Sequence, residues 1–383
     1  MTFELSADHE AFRSVIRDFA EREIAPHVAT WDRDHHLPLE VIAQMGELGL
    51  FGLVAPEEFG GTNADFTSLC VAIEELGRVD QSIGITLEAA VGLGINPILA
   101  FGTPAQREQY LPDLVAGRAL AAFGLTEPEA GSDAGATRTR ATLQDGSWTI
   151  NGAKAFITNS GTDITSVITI TARTAADEIS TILVPSATVG LTVEPPYDKL
   201  GWHISDTHGL AFDDCRVPEA NLLGERGRGF KQFLAVLDDG RIAIAALAVG
   251  LAQGCLDLSR KYALERHSFG APIGSRQAVA FSLSDLAVSV EAARLLTYKA
   301  AWLKDCGRAP AEIKQAAAIA KLYSTEAAVA ATRVATQVFG GNGFMEEYPV
   351  ARFYRDAKVL EIGEGTSEVQ RLLIARGLGL PVS

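Results

Sequence analysis

The sequence predicts an α+β fold of three consecutive units, helical, then antiparallel β, then helical, and three observations carry that prediction. Apolar residues recur at three- and four-residue spacing over about residues 1–118 and again over about 226–383. Between them, over about 119–225, runs of β-branched and aromatic residues alternate with Asp-Gly, Asn-Gly and proline punctuation. Strands gathered in one stretch and helices in two others make α+β rather than an alternating α/β chain.

The N-terminal unit opens with Phe12, Val15, Ile16, Phe19 and Ile24 at helical spacing, behind Ser6 as N-cap. Pro38 suits the first turn of a helix reaching about Leu50. Thr103-Pro104-Ala105-Gln106 is a helix start in which Thr caps, Pro takes the first position and Gln closes the box; that helix should end near Gly117. In the middle unit, Asp145-Gly146 and Asn151-Gly152 both read as hairpin turns, because each supplies positive φ. Strand segments are Ser147–Ile150, Ala155–Thr158, Val167–Thr171, Thr181–Val184, Leu191–Val193 and Gly209–Phe212. Three long helices follow, Phe230–Arg266, Gln277–Lys304 and Ala311–Phe339, a pattern that packs as a bundle.

The 383 residues are 47% hydrophobic, and 48 acidic against 33 basic side chains give a net charge of −15. That balance excludes disorder and disfavours nucleic acid, which needs a concentrated basic face. Neither end reads as a targeting or lipidation signal, and the longest apolar run, Ile242–Ala252, falls short of the ~20 residues that span a bilayer. No membrane partner is expected. Cys70, Cys215, Cys255 and Cys306 are far apart, so neither disulfides nor zinc is signalled and a cytoplasmic location is expected. Rossmann, P-loop and hydrolase-elbow motifs are absent.

Four segments stand out, each with a plain and a functional reading. Phe123–Asp133 is either a helix-to-strand connection or a loop presenting donors at Thr126 and Ser132 to a polar ligand. Phe339-Gly340-Gly341-Asn342-Gly343-Phe344 carries more glycine than a helix C-cap needs. Tyr262–Gly270 offers Arg266 and Ser268 to a phosphate, or a cation to a helix C-terminus. In Leu360–Arg371, Ser367 and Gln370 read as a capping box for a helix to about Arg376, with Gly377 as C-cap. Glu364 lies just before it, between two glycines, as either a solvated loop acid or a base.

Together and in this order, these segments resemble the acyl-CoA dehydrogenase family over nearly the whole chain, above all in Thr126-Glu127-Pro128 with Ala130-Gly131-Ser132-Asp133, in Phe339–Phe344 and in Glu364-Gly365-Thr366-Ser367. The resemblance implies an N-terminal helical domain (1–118), a middle β domain (119–225) and a C-terminal four-helix bundle (226–383). It further implies non-covalent FAD, a homotetramer built as a dimer of dimers, an acyl-CoA substrate and an electron-transferring flavoprotein as electron acceptor. By position, Phe123, Leu125, Thr126, Gly131 and Ser132 would line the flavin, with Phe156 and Thr158 on its other side. Arg266, Ser268, Phe269, Gln277, Gln337, Val338 and Gly341 would meet the FAD of a neighbouring subunit, and Thr366 and Glu368 the FAD of the base's own site. Asp238 resembles a CoA contact, Arg241 an arginine near the base, and Ser132 and Gly365 substrate contacts.

The resemblance makes Glu364 the base that takes the α-proton while the β-hydrogen leaves as hydride to the flavin, giving a trans-2-enoyl-CoA. Gly240 stands where some members carry the base instead, so Glu364 stands alone. The same fold also serves flavoproteins that act on carrier-bound acyl groups or with oxygen, and a scaffold without activity is the other alternative. Among the departures, Phe156 replaces a frequent Trp, Gly363 an aromatic residue, and Glu129 a glycine at a position expected to be solvated. Glu88, on the helix expected to floor the acyl pocket, is expected to face water, the other reading being that it points inward. Trp202-His203 has no assigned role.

Overall fold

The computed structural model describes residues 5–382. Seven α-helices build the first unit: α1 (Ala7–Phe19), α2 (Val28–Asp34), α3 (Leu39–Glu47), α4 (Phe66–Val79), α5 (Gln81–Glu88), α6 (Asn96–Phe101) and α7 (Pro104–Val115). Their starts follow local chemistry. Ser6 caps α1 by accepting from the His9 amide, with the His9 ring closing the box in place of an acid or amide. Thr103 and Gln106 make the expected box on α7. Pro38 is the extended N-cap of α3 rather than a residue of its first turn. Asp80 ends α4 in an extended conformation and caps α5 through the Ile83 amide at 2.9 Å. A π-helical stretch, Ala89–Ile95, joins α5 to α6 without a break.

The middle unit holds β1 (Leu120–Gly124), β2 (Arg140–Gln144), β3 (Ser147–Thr158), β4 (Thr165–Ala175), β5 (Glu178–Pro185), β6 (Leu191–Pro196), β7 (Thr207–Pro218) and β8 (Leu222–Leu223). The sheet order is β6-β7-β3-β2-β4-β5-β8, with β1 alongside β4. Two departures from the sequence reading stand out. The sheet is mixed rather than antiparallel throughout, because β1 and β2 both pair with β4 in parallel. Asn151-Gly152 is not a turn: it lies inside β3, where the ladder to β7 slips between Ile150 and Gly152 and Gly152 takes φ +145°. A bulge and a hairpin ask for the same backbone freedom, so the dipeptide alone does not tell them apart. Asp145-Gly146, both at positive φ, does make the expected turn between β2 and β3.

The third unit contains α8 (Gly229–Glu265), a short hairpin of β9 (His267–Ser268) and β10 (Ala271–Pro272), then α9 (Gln277–Asp305), α10 (Pro310–Phe339), α11 (Pro349–Ala357) and α12 (Ser367–Gly377). α8, α9 and α10 pack on one another, α12 lies on α10, and α8 also packs on α4. The two helical units therefore share one apolar core, while the sheet keeps its own around Trp148, Ile150, Ile170 and Phe212. The stretches Gln81–Phe101 and Gly229–Glu265 are, contrary to the sequence reading, long and apolar enough to span a bilayer, and most of each is buried inside this fold.

Trp202-His203 ties the units together. Asp356 of α11 accepts from the Trp202 amide at 2.6 Å, and the His203 ring stacks on His35 with centroids 4.2 Å apart and lies 3.4 Å from Asp32. The connection between β6 and β7 is thus pinned to both helical units.

Candidate active site

Residue 364 sits on the loop between α11 and α12 with φ +53°, and Gly365 follows at +91°. Two consecutive left-handed residues lift the Glu364 side chain out of the chain's path. A Cβ on residue 365 would also lie 2.8 Å from Gln370 Nε2, so a side chain there would displace that amide as well as strain the backbone. The loop is then clamped from outside. Lys321 Nζ, on α10, donates to the Gly365 carbonyl at 2.8 Å, and Gln370 Nε2 donates to the carbonyls of Gly365 at 2.9 Å and Glu364 at 3.3 Å. Gln370 therefore does not close a capping box on Ser367. Thr366 is the N-cap, one residue earlier, accepting from Val369, and Gly377 is the last residue of α12 rather than its C-cap.

The Glu364 side chain is half-buried beside α8, and its Oε2 is buried with no partner among the described residues. A methyl placed on Gly240 would lie 2.7 Å from that oxygen. Burial pushes the group up to about 7, against the pull of Arg241 and Lys321 toward the ionised form. Burial likewise brings Lys321 down to about 8. Arg241 is buried and ion-paired with Asp238 one turn back on α8, so Asp238 is engaged with the arginine that acts on Glu364.

Glu88 corrects an expectation. It does not face water: it is 1% exposed, at the junction of α5 and the π-helical stretch, with neither oxygen partnered among the described residues. Its Oε1 lies 3.5 Å from the same hypothetical methyl on Gly240. Both carboxyls therefore lie against Gly240. Burial, and then the proximity of Glu364, hold Glu88 protonated well above the usual carboxylate range. The available signal was a single acid in an otherwise apolar segment, Ile83–Ile98 apart from Thr86 and Asn96. Lys321 gave a similar one, alone among Ala316, Ala317, Ala318, Ile319 and Ala320.

The loop Phe123–Asp133 leaves β1 and is held by a buried ion pair. Lys154 Nζ, on β3, bonds Glu127 at 2.7 Å and the Leu125 carbonyl at 3.2 Å, while Glu127 also accepts from the amides of Arg138 and Thr139. The Thr126 carbonyl accepts from the Ala155 amide at 2.8 Å, which sets the loop against the strand carrying Phe156 and Thr158. Phe156 stands at φ +61° and 66% exposed, its ring against Tyr197, and Phe123 stacks on Phe233. Gly131 and Ser132 are exposed at the loop's tip, and Glu129 is exposed and ion-paired with Arg138. Exposed aromatic faces beside a fixed loop with free donors fit a planar, polar-rimmed group such as a flavin.

A second group gathers at the far end of the bundle. Arg266 caps α8, and Ser268 and Phe269 form the hairpin tip, with Phe269 94% exposed. Gln277 begins α9, and Gln337, Val338 and Gly341 close α10, where Asn342 bonds the Tyr262 hydroxyl at 2.9 Å. This edge is separate from the Glu364 space within one chain. Thr366 and the exposed Glu368 stay with the base, at the start of α12.

Residues 6–118, 122–215 and 227–379 match, in order, the N-terminal, middle and C-terminal domains of acyl-CoA dehydrogenases. A probable acyl-CoA dehydrogenase of Bacillus subtilis is 48% identical over 99% of this chain and all of its own length. The short-chain specific acyl-CoA dehydrogenase of rat mitochondria is 45% identical over 97% of this chain and 90% of its own. Among solved structures, butyryl-CoA dehydrogenase of Megasphaera elsdenii superposes with a TM-score of 0.95 at 41% identity, covering 99% of this chain and 100% of that one. Three matching domains and relatives aligned end to end make this chain a member of the acyl-CoA dehydrogenase family, whose enzymes are FAD-dependent oxidoreductases.

Proposed function

We propose that this chain dehydrogenates a short acyl-CoA to its trans-2-enoyl-CoA, with Glu364 as the base that takes the α-proton. The observation that carries the reading is the Glu364 carboxyl itself, buried, unpaired at Oε2 and mounted on a clamped left-handed turn. A carboxylate held in a dry space is a stronger base than one in water. Its value near 7 leaves a large ionised fraction at neutral pH. The α C–H bond breaks toward Oε2, the β-hydrogen departs with its electron pair, and a Cα=Cβ bond forms conjugated with the thioester carbonyl. Bound FAD supplies the acceptor for that hydride. The chain's own contribution is to hold Oε2 in place, keep water out, and favour the ionised base through Arg241 and Lys321.

Short acyl groups are supported by the short-chain and butyryl-CoA relatives. Transfer of electrons to an electron-transferring flavoprotein is supported by a neighbour at TM-score 0.95 and 41% identity. It belongs to a structure described as the electron transferring flavoprotein of Acidaminococcus fermentans. Assembly as a dimer of dimers is supported by the exposed apolar residues of the bundle, Phe269, Phe281, Val288 and Phe344. Such an assembly would bring the Arg266–Phe269 and Gln337–Gly341 edge of one chain to the cofactor of another. A carrier-bound substrate is the second reading, favoured by the likeness to the prolyl acyl carrier protein oxidase AnaB at 30% identity and TM-score 0.93. Anaerobic mixing with butyryl-CoA tests the main reading. Bleaching of the oxidised-flavin band, lost in Glu364→Gln with FAD still bound, is the expected result, and bound flavin that no acyl-CoA bleaches overturns it.

A further inference from the structure

Arg138, Arg140 and Arg173 of the middle unit, with Ala136 and Thr137, line an open hollow of about 420 Å³. Arg140 on β2 and Arg173 on β4 are direct partners where those strands pair in parallel, so both side chains leave the sheet on one face. Like charges set opposite each other destabilise a sheet. Acids are not scarce, for the chain has 48, and Arg138 is ion-paired with Glu129. Yet neither Arg140 nor Arg173 has a carboxylate within ion-pair distance among the described residues. Arg173 gives three of its N–H groups to backbone instead, from Nε to the Thr137 carbonyl at 3.1 Å, from Nη1 to Ala176 at 2.6 Å and from Nη2 to Gly135 at 3.2 Å. A guanidinium has about five such donors, so part of Arg173 and all of the Arg140 head remain to be used. We propose that this hollow is an anion-binding site whose ligand carries a phosphate group.

Charge selects the phosphate. A carboxylate would offset one of the two unmatched cations, whereas a phosphate monoester carries about −1.5 to −2 at neutral pH and offsets both. Its oxygens also suit the planar fork of a guanidinium. The carbonyls that hold Arg173 come from two loops, one following Ser132 and one turning between β4 and β5, so its head is fixed before any ligand arrives. Arg140 is exposed and free to close on the ligand from the other side. Arg138 stands at the rim in an exposed pair with Glu129, which holds it weakly. The hollow also borders the third unit: a methyl on Gly135 would come within 3.9 Å of the Phe230 ring, in the first turn of α8, the helix that carries Asp238. The phosphate therefore has two sources, the CoA part of the substrate or a separate phosphorylated molecule.

The test is calorimetric titration of the FAD-loaded protein with inorganic pyrophosphate at low salt, in the native chain, Arg140→Gln and Arg140→Lys. Arg140 is exposed and holds nothing else, so both variants should fold as the native chain does. The native protein is expected to bind with a dissociation constant below about 1 mM. Arg140→Gln should weaken that binding about tenfold or more, and Arg140→Lys by less, since it keeps the charge and loses the fork. No binding at millimolar pyrophosphate, or equal binding to the native chain and Arg140→Gln, overturns the site. This result does not depend on the reaction assigned to Glu364. The source is then read from anaerobic flavin reduction by butyryl-CoA and by its 3′-dephospho analogue. If the substrate supplies the phosphate, pyrophosphate competes with butyryl-CoA, and removing the 3′-phosphate raises half-saturation in the native chain more than in Arg140→Gln. If a separate molecule supplies it, pyrophosphate binds without competing and the two thioesters behave alike.

Discussion

The loop carrying Glu364 and the edge formed by Arg266, Phe269 and Gly341 belong to the same helical unit, but one is walled in and the other is bare. Around Glu364, Lys321, Gln370, Arg241 and Gly240 all come from this chain, and the carbonyls of residues 364 and 365 are held on two sides. At the far edge, Phe269 is 94% exposed and Phe344 86%, with Arg276 reaching back to the Ser268 and Phe269 carbonyls and lying over the Phe269 ring. Proton transfer needs a group fixed in a dry place, and one chain can supply that. Exposed aromatics beside a guanidinium leave apolar surface unburied, so the same sequence supplies an enclosed carboxyl and an open apolar edge.

The sharpest way to break that contrast is at its enclosed end. Glu364→Gln keeps volume and hydrogen-bonding atoms but removes the base, and should slow flavin reduction by butyryl-CoA by about 10²–10⁴-fold while FAD stays bound. Rapid-mixing absorbance reads it directly. If the rate falls less than tenfold, another group takes the proton. Next in size is Lys154→Met, which leaves Glu127 of the Phe123–Asp133 loop buried without its counter-ion, held only by the Arg138 and Thr139 amides. About 3–5 kcal/mol of stability should be lost, seen as a lowered midpoint in denaturant, together with flavin retention.

The open end predicts a smaller and different loss. Phe269→Ala should leave the fold of the single chain intact, since the ring touches little of it, and weaken FAD retention about tenfold. Gel filtration with flavin absorbance would show dissociation of the assembly and loss of flavin together. Full retention in a smaller species would mean that each chain holds its cofactor alone.

How legible these regions were in the sequence follows the same division. Ser6, Thr103 and Asp145-Gly146 were readable because a cap or a tight turn is decided within four residues. The order of the three units was readable from periodicity, and Glu364 from its glycine neighbours and the resemblance. Asn151-Gly152 misled because its backbone freedom serves a bulge in β3 as well as a turn. Gln370 misled because it reaches back to the Glu364 and Gly365 carbonyls, and Glu88 because its direction depends on where α5 meets the π-helical stretch and on what α8 sets opposite. The parallel pairing of β1 with β4 was invisible for the same reason. Side-chain direction at a buried junction is set by the whole packing arrangement, and sequence spacing carries little of it.

The finest difference lies in the pH dependence. Glu364 must be ionised to act, and burial has raised it to about 7, so flavin reduction should climb as pH rises through about 7 and level off above it. Lys321 supplies part of the positive field that opposes that rise and also holds the Gly365 carbonyl. Lys321→Met should therefore move the acidic limb to higher pH and lower the plateau several-fold, because the base becomes harder to ionise and its loop less fixed. A purely structural lysine would lower the plateau and leave the limb in place. Glu88→Gln should behave in the opposite way. Burial and then the nearby Glu364 push Glu88 up, toward its neutral form, and a neutral amide at 88 mimics that form, so the limb should stay near 7. A limb that falls clearly below 7 in Glu88→Gln would mean that Glu88 is ionised first and that its charge, rather than burial alone, holds the base up.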